Sequence, residues 1–119
     1  MGETMEIKRY NKSSRMSQAV VHNGTAYLSG VVPTDDTADA AGQTRQVLDG
    51  IDQRLALAGS DKSKLLWAQV ILSDMADFAT MNAVWEAWID PANPPARMTY
   101  QAKLGRPSFR IEVMVIAAV

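Results

Sequence analysis

The apolar residues of this chain switch between a period of two, which marks strands, and a period near 3.6, which marks helices. Residues 6–10 read as a first strand and 11–15 as a polar loop. Residues 18–22 and 25–31 flank Asn23-Gly24, the pair that a two-residue type I′ turn requires because both central positions take positive φ. The turn sets Val21 opposite Ala26, Val20 opposite Tyr27 and Gln18 opposite Ser29. Ser29-Gly30 closes the second strand. Gly30 lacks a side chain where a ligand or another backbone could approach, a bend before Pro33 being the alternative.

Thr44, Val47, Leu48, Ile51, Leu55 and Ala58 then recur at helical spacing, predicting a helix over about 39–58 that Gly59 ends, with Arg45, Gln46, Asp49, Asp52, Gln53 and Arg54 as its wet side. Residues 65–72 form an apolar run of strand length. Ser73-Asp74 opens a second helix, Asp74 capping it and Asp77 favouring its positive end. Phe78, Met81, Trp85, Trp88 and Ile89 give that helix its stripe, and Trp67, Trp85 and Trp88 all fall on core spacing. The prolines at 91, 94 and 95 end it.

Two alternations close the chain. Met98, Tyr100, Ala102 and Leu104 alternate with Arg97, Thr99, Gln101 and Lys103; after Gly105-Arg106-Pro107, Ile111, Val113, Val115 and Ala117 alternate with Arg110, Glu112, Met114 and Ile116. Read as a hairpin, parity sets one apolar row against the other and gathers Arg97 and Thr99 with Glu112, Met114 and Ile116 on the second face. That mixture suits a half-buried pocket, since a sealed core does not tolerate unpaired charge. The element order predicts an α+β sheet with both helices on one face, one helix on each side being the alternative. An uncovered face carrying Met114 and Ile116 predicts a partner subunit.

At 119 residues, 47% hydrophobic and 21% charged, the chain makes one soluble domain, residues 1–119, with a single core. Its apolar runs fall short of the roughly 20 residues that span a bilayer. The start of the chain has no apolar leader segment, so a cytoplasmic protein is expected. Without cysteine there is no thiolate nucleophile and no cysteine-ligated metal. The net charge of -1 argues against a broad nucleic-acid surface. His22 stands alone beside the turn and makes neither a metal site nor a triad.

Taken together, Ser29-Gly30 with Pro33 after the Asn-Gly turn, the Asp77-Phe78-Ala79-Thr80-Met81-Asn82-Ala83 run, Pro95-Ala96-Arg97, and Ile111-Glu112-Val113 through Ile116-Ala117 resemble the Rid family, also called YjgF/YER057c/UK114. The resemblance runs in unbroken order from about Met16 to the last residue. It implies a chorismate-mutase-like α+β fold, a homotrimer whose sheets form a central barrel, and sites in clefts between subunits. It also implies hydrolysis of reactive 2-enamine and 2-imine acids to 2-keto acids and ammonia, with no cofactor and no metal.

Carried over residue by residue, Arg97 would grip the substrate carboxylate with its planar fork of donors, and Glu112 would orient or activate the attacking water. Thr99 stands where the archetype has a cysteine thought to act through its backbone carbonyl. Ser29, Gly30, Asn82 and Met16 would line the pocket. Met16 replaces a tyrosine and Val31 a glutamine, which bears on substrate range and on turnover. The plainer alternatives are a structural ion pair for Arg97, an intersubunit salt bridge for Glu112 and a helix cap or bridge for Asn82. At the level of function, the alternatives are a trimer that binds or senses small carboxylic acids without turnover and, more remotely, a ribonuclease.

Overall fold

The Asn23-Gly24 turn forms as its residues demand, with φ of 56° and 81°. In a computed structural model that describes residues 6–119, it joins β2 (Ala19–His22) to β3 (Thr25–Leu28). Val20 faces Tyr27 and Val21 faces Ala26, and the Ser29 amide donates to the Gln18 carbonyl at 3.0 Å, the register the turn predicts. β3 ends at Leu28, three residues earlier than the alternation suggests, and Val31 adds one isolated bridge to Val113. The reading of the chain's start as leaderless rests partly on residues 1–5, which lie outside the described residues.

α1 (Ala40–Leu57) begins where the Asp39 carboxylate accepts from the Gly42 amide at 2.8 Å. It ends in a Schellman motif: Gly59 takes φ 81°, its amide reaches the Ala56 carbonyl, and the Ser60 amide reaches the Leu55 carbonyl at 2.8 Å. Thr44, Val47, Leu48, Ile51 and Leu55 are buried as their spacing predicts. α2 (Phe78–Trp88) follows a 3₁₀ turn, Met75–Asp77, and it is this turn that Asp74 caps, accepting from the Ala76 amide at 2.9 Å. Met81 and Trp85 are buried, with Val84, Trp88 and Ile89 packed partly against them. Phe78, expected in that stripe, opens the helix and is left 39% exposed.

β1 (Ile7–Tyr10), β4 (Leu65–Leu72), β5 (Ala96–Gln101) and β6 (Ile111–Ala118) complete a six-stranded sheet of order β1-β2-β3-β6-β4-β5. The expected hairpin between the last two strands does not form. β4 lies between them, antiparallel to β6 and parallel to β5. β4, α2 and β5 are therefore a crossover unit, in which a helix returns the chain to lay a parallel strand beside the first. Alternation assigns each residue to a face but does not name the neighbouring strand. The stretch 102–104 is not strand, and the long turn before β6 has room to pass the chain across the end of β4.

Both helices pack on one face, where Val47, Leu48, Ile51 and Leu55 meet Ala26, Leu28, Ala68, Val70, Leu72, Val113 and Val115. The opposite face carries rows that the registers define: Tyr27, Ile116, Trp67; then Met114, Gln69, Met98; then Glu112, Ile71, Tyr100. Trp67 thus lies on the open face and not in the core, because it alternates with buried Ala68. Tyr27 and Met98 are 47% and 45% exposed there, an apolar surface of the kind that marks a contact with another protein. Among the described residues no helix is long and apolar enough to cross a membrane.

Candidate functional site

Parity along β4 decides where the two charged candidates point. Arg97 pairs with buried Ala68, and Glu112 pairs with Ile71, one position out of phase. The two side chains therefore project from opposite faces of the sheet, Arg97 toward the helices and Glu112 toward the open side. This corrects the expectation that a hairpin brings them to one face. Glu112 lies opposite Ile71, which faces Tyr100, three residues past Arg97. Two strand spacings and three residues of rise place the Cα atoms roughly 14 Å apart. One copy of the chain does not close both around one small molecule.

Each group instead heads its own cluster of candidate residues. The first collects Ser29, Gly30 and Glu112. Backbone bonds run both ways between Val31 and Val113, at 2.8 and 3.1 Å, and hold the Gly30 segment beside β6. A Cβ built on Gly30 would stand 3.0 Å from the Glu112 carboxyl carbon and closer still to one of its oxygens. Close approach is thus the reason for the glycine, and the bend alternative is not needed. The Ser29 hydroxyl is buried and has no hydrogen-bond partner.

The second cluster gathers Arg97 and Thr99 on the edge strand with α2 behind them. The Arg97 guanidinium lies 5.2 Å over the Trp85 ring, and its Nη1 is 3.9 Å from the Met81 sulfur. Burial pushes the guanidinium below its usual pKa, with Glu86 pulling weakly the other way. Among the described residues Arg97 forms no salt bridge, so its surroundings are an aromatic face and a thioether. The Thr99 hydroxyl, like that of Ser29, is buried without a partner. Asn82 follows Met81 on α2 and is half-buried, and its amide makes no hydrogen bond among those described. Met16 is 52% exposed in the loop before β2.

Asp77, expected as a helix-end charge, is buried and takes two bonds from Arg110, at 2.9 and 3.1 Å. Gln43 also escaped notice in the sequence. Fully buried on α1, its amide donates to the carbonyls of Asp36, Ala38 and Ser108, and its oxygen accepts from the Arg110 amide at 2.8 Å. It ties the loop before α1 to the start of the strand that carries Glu112. Its signal is a glutamine one residue before Thr44 on the apolar stripe. A wide groove of about 860 Å³ between α1 and α2, lined by Arg45, Asp49, Lys62 and Trp88 among others, contains none of the candidate residues. Among the described residues no group of three His, Cys, Asp or Glu could hold a metal ion.

Residues 6–119 match the model of the Endoribonuclease L-PSP family. The chain belongs to that family, which is also the Rid or YjgF family. It is 43% identical to the RutC family protein YoaB of Escherichia coli over 97% of this chain and 100% of that one. The crystal structure of a YjgF family member from Neisseria meningitidis superposes with a TM-score of 0.94 at 43% identity, over 97% and 96% of the two chains. More distantly, it is 34% identical to 3-aminoacrylate deaminase RutC of Acinetobacter baylyi over 78% of each chain. It is 35% identical to Reactive Intermediate Deaminase A of Arabidopsis thaliana, over 85% of this chain and 57% of the other.

Proposed function

We propose that copies of this chain assemble, as a homotrimer, into clefts that hydrolyse reactive 2-enamine or 2-imine acids to 2-keto acids and ammonia. Each cleft takes the Ser29-Gly30-Glu112 half-site from one copy and the Arg97-Thr99 half-site from its neighbour. The observation that carries the reading is a double deficit. One half-site offers a guanidinium and a buried hydroxyl, the other a carboxylate and a buried hydroxyl; among the described residues both hydroxyls are unpartnered, Glu112 has no hydrogen bond or salt bridge, and the guanidinium has only the weak Met81 sulfur contact. Unmet buried donors cost about 1–3 kcal/mol each, and a substrate with one carboxylate and one polar carbon-nitrogen bond meets both halves. The exposed Tyr27 and Met98 face supports an assembly. The deaminase names of the two more distant relatives support the chemistry.

In this reading Arg97 holds the substrate carboxylate in a charge-assisted fork, and the Trp85 ring beside it lowers the local dielectric in which the two charges attract. Glu112 accepts a hydrogen bond from water and turns its oxygen toward the imine carbon. The carbon-oxygen bond forms as one water proton passes by way of Glu112 to the nitrogen, giving a carbinolamine; its hydroxyl proton then follows to the nitrogen as the carbon-nitrogen bond breaks, leaving the keto acid and ammonia. The second reading, a trimer that binds 2-keto acids without turnover, rests on Met16, where the resemblance expects a tyrosine hydroxyl. Purified protein should accelerate keto-acid formation from freshly generated amino-acid imines. Equal rates with and without protein, together with saturable binding of 2-oxobutanoate, would select the binding module instead.

A further inference from the structure

Behind the Ser29-Gly30 segment, on the helix side, lies a second and smaller cleft of about 280 Å³ whose polar wall is Asn11, Gln18, Thr34, Gln46, Gln53 and Arg54. Sequence spacing places Arg54 on the wet side of α1, yet its Nη1 is sealed from solvent and has no hydrogen-bond partner. Burial alone pushes this guanidinium below its usual pKa, with no carboxylate pulling it back. No acidic residue lines the cleft. Gln46 is occupied, its oxygen accepting from the Asp35 amide and the Thr34 hydroxyl. Gln18 is not: its oxygen accepts from the Asn11 amide at 3.0 Å, which leaves its own NH₂ directed elsewhere. Asn11 holds a left-handed backbone, φ 49°, to make that bond.

We infer that this cleft is a binding site for a small oxyanion, a carboxylate or a phosphate, held by Arg54 with the Gln18 and Gln53 amides. Arg54 is half-buried, but its Nη1 is a sealed charged donor with no acceptor, and an oxyanion supplies both the charge and the acceptor that it lacks. The cleft volume of about 280 Å³ admits a small oxyanion with room to spare. It is separate from the Arg97 and Glu112 half-sites and does not depend on the deaminase reading. The two places share a wall all the same. Val31 lines the cleft, bridges to Val113 beside Glu112, and packs against α1 so closely that a Cβ on Gly50 would stand 2.7 Å from its Cγ1.

The test is a titration of the full chain with inorganic phosphate and, separately, acetate, followed by ¹H–¹⁵N spectra at constant ionic strength set with sodium chloride. Saturable shifts at the Asn11, Gln18 and Gln53 side-chain amides and at Arg54 Nε are expected. Arg54→Met should weaken binding about tenfold or more, the usual effect of losing a charge-assisted bond, and Arg97→Ala should leave it unchanged. Gln53→Glu, an exposed change that puts a negative charge on the cleft wall, should also abolish the shifts while leaving the fold intact, so that a poorly folding Arg54→Met would not decide the matter. Saturation by phosphate but not acetate, or the reverse, identifies which oxyanion is held. Shifts that stay linear with both anions, or that persist in Gln53→Glu, overturn the site.

Discussion

Replacing Gly30 with alanine isolates the contact on which the proposed chemistry turns. Its φ lies outside the left-handed range, so the backbone accepts alanine, and reduced freedom in the unfolded chain favours the variant by about 0.4–1 kcal/mol. The added methyl meets the Glu112 carboxyl carbon at 3.0 Å and its Cγ at 3.4 Å, with one oxygen nearer than either. What must yield is the far end of a flexible side chain, not the backbone. Rotating Glu112 clear moves its carboxylate by about 1 Å or more, and a misplacement of that size costs a reaction about 10²-fold. Gly30→Ala should therefore unfold within a few degrees of the parent while kcat/KM for imine hydrolysis falls about 10²-fold. Thermal unfolding and keto-acid release, measured on the same preparation, check both halves. Full activity in a stable variant would show that the carboxylate position is irrelevant to turnover and refute the assignment of Glu112.

Arg97→Ala should abolish imine hydrolysis and lower stability by no more than about 1 kcal/mol, the scale of a partly exposed cation over an aromatic ring; a fully active variant would move the carboxylate grip elsewhere. Gln43→Leu strands three carbonyls and an amide, so urea unfolding should show a loss of about 3 kcal/mol or more, and a loss below 1 kcal/mol would mean that solvent replaces those bonds. Asp77→Asn should cost about 1–3 kcal/mol by weakening the paired bonds from Arg110, read by the same unfolding curves. Light scattering on a sizing column should give a trimer, and a monomer would leave the two half-sites apart.

Secondary structure was legible wherever local chemistry decides it. Asn23-Gly24 fixed a register to the residue, Asp39 and Gly59 bracketed α1, and the buried rows of α1 and β6 follow their periods. What the sequence could not show is which strand lies beside which. Residues 96–101 and 111–118 each display a clean alternation, and joining them by proximity in the chain produced a hairpin where the molecule builds a crossover through α2. That error in neighbour became an error in face, since Arg97 takes its side from Ala68 and not from Glu112. Alternation had already set Arg97, Thr99 and Glu112 apart and the missing side chain had marked Gly30, but the roles assigned to them came from the resemblance to a family, and no periodicity names Glu112 as the group that closes on Gly30. Gln43 was hidden for a related reason: it fills an apolar position, and its four partners come from loops whose conformation it helps to set.

Opposite facing of Arg97 and Glu112 has a consequence for mixtures of damaged chains. In the proposed trimer every cleft borrows from two molecules, and neither molecule needs to be whole. Arg97→Ala and Glu112→Ala proteins, each inert alone, should regain activity when unfolded together and refolded as a mixture. Random assembly from equal amounts leaves roughly one cleft in four with both groups supplied by intact donors. Such rescue is closed to any enzyme whose catalytic pair resides within one chain, so its appearance would report on the boundary between subunits without any image of it.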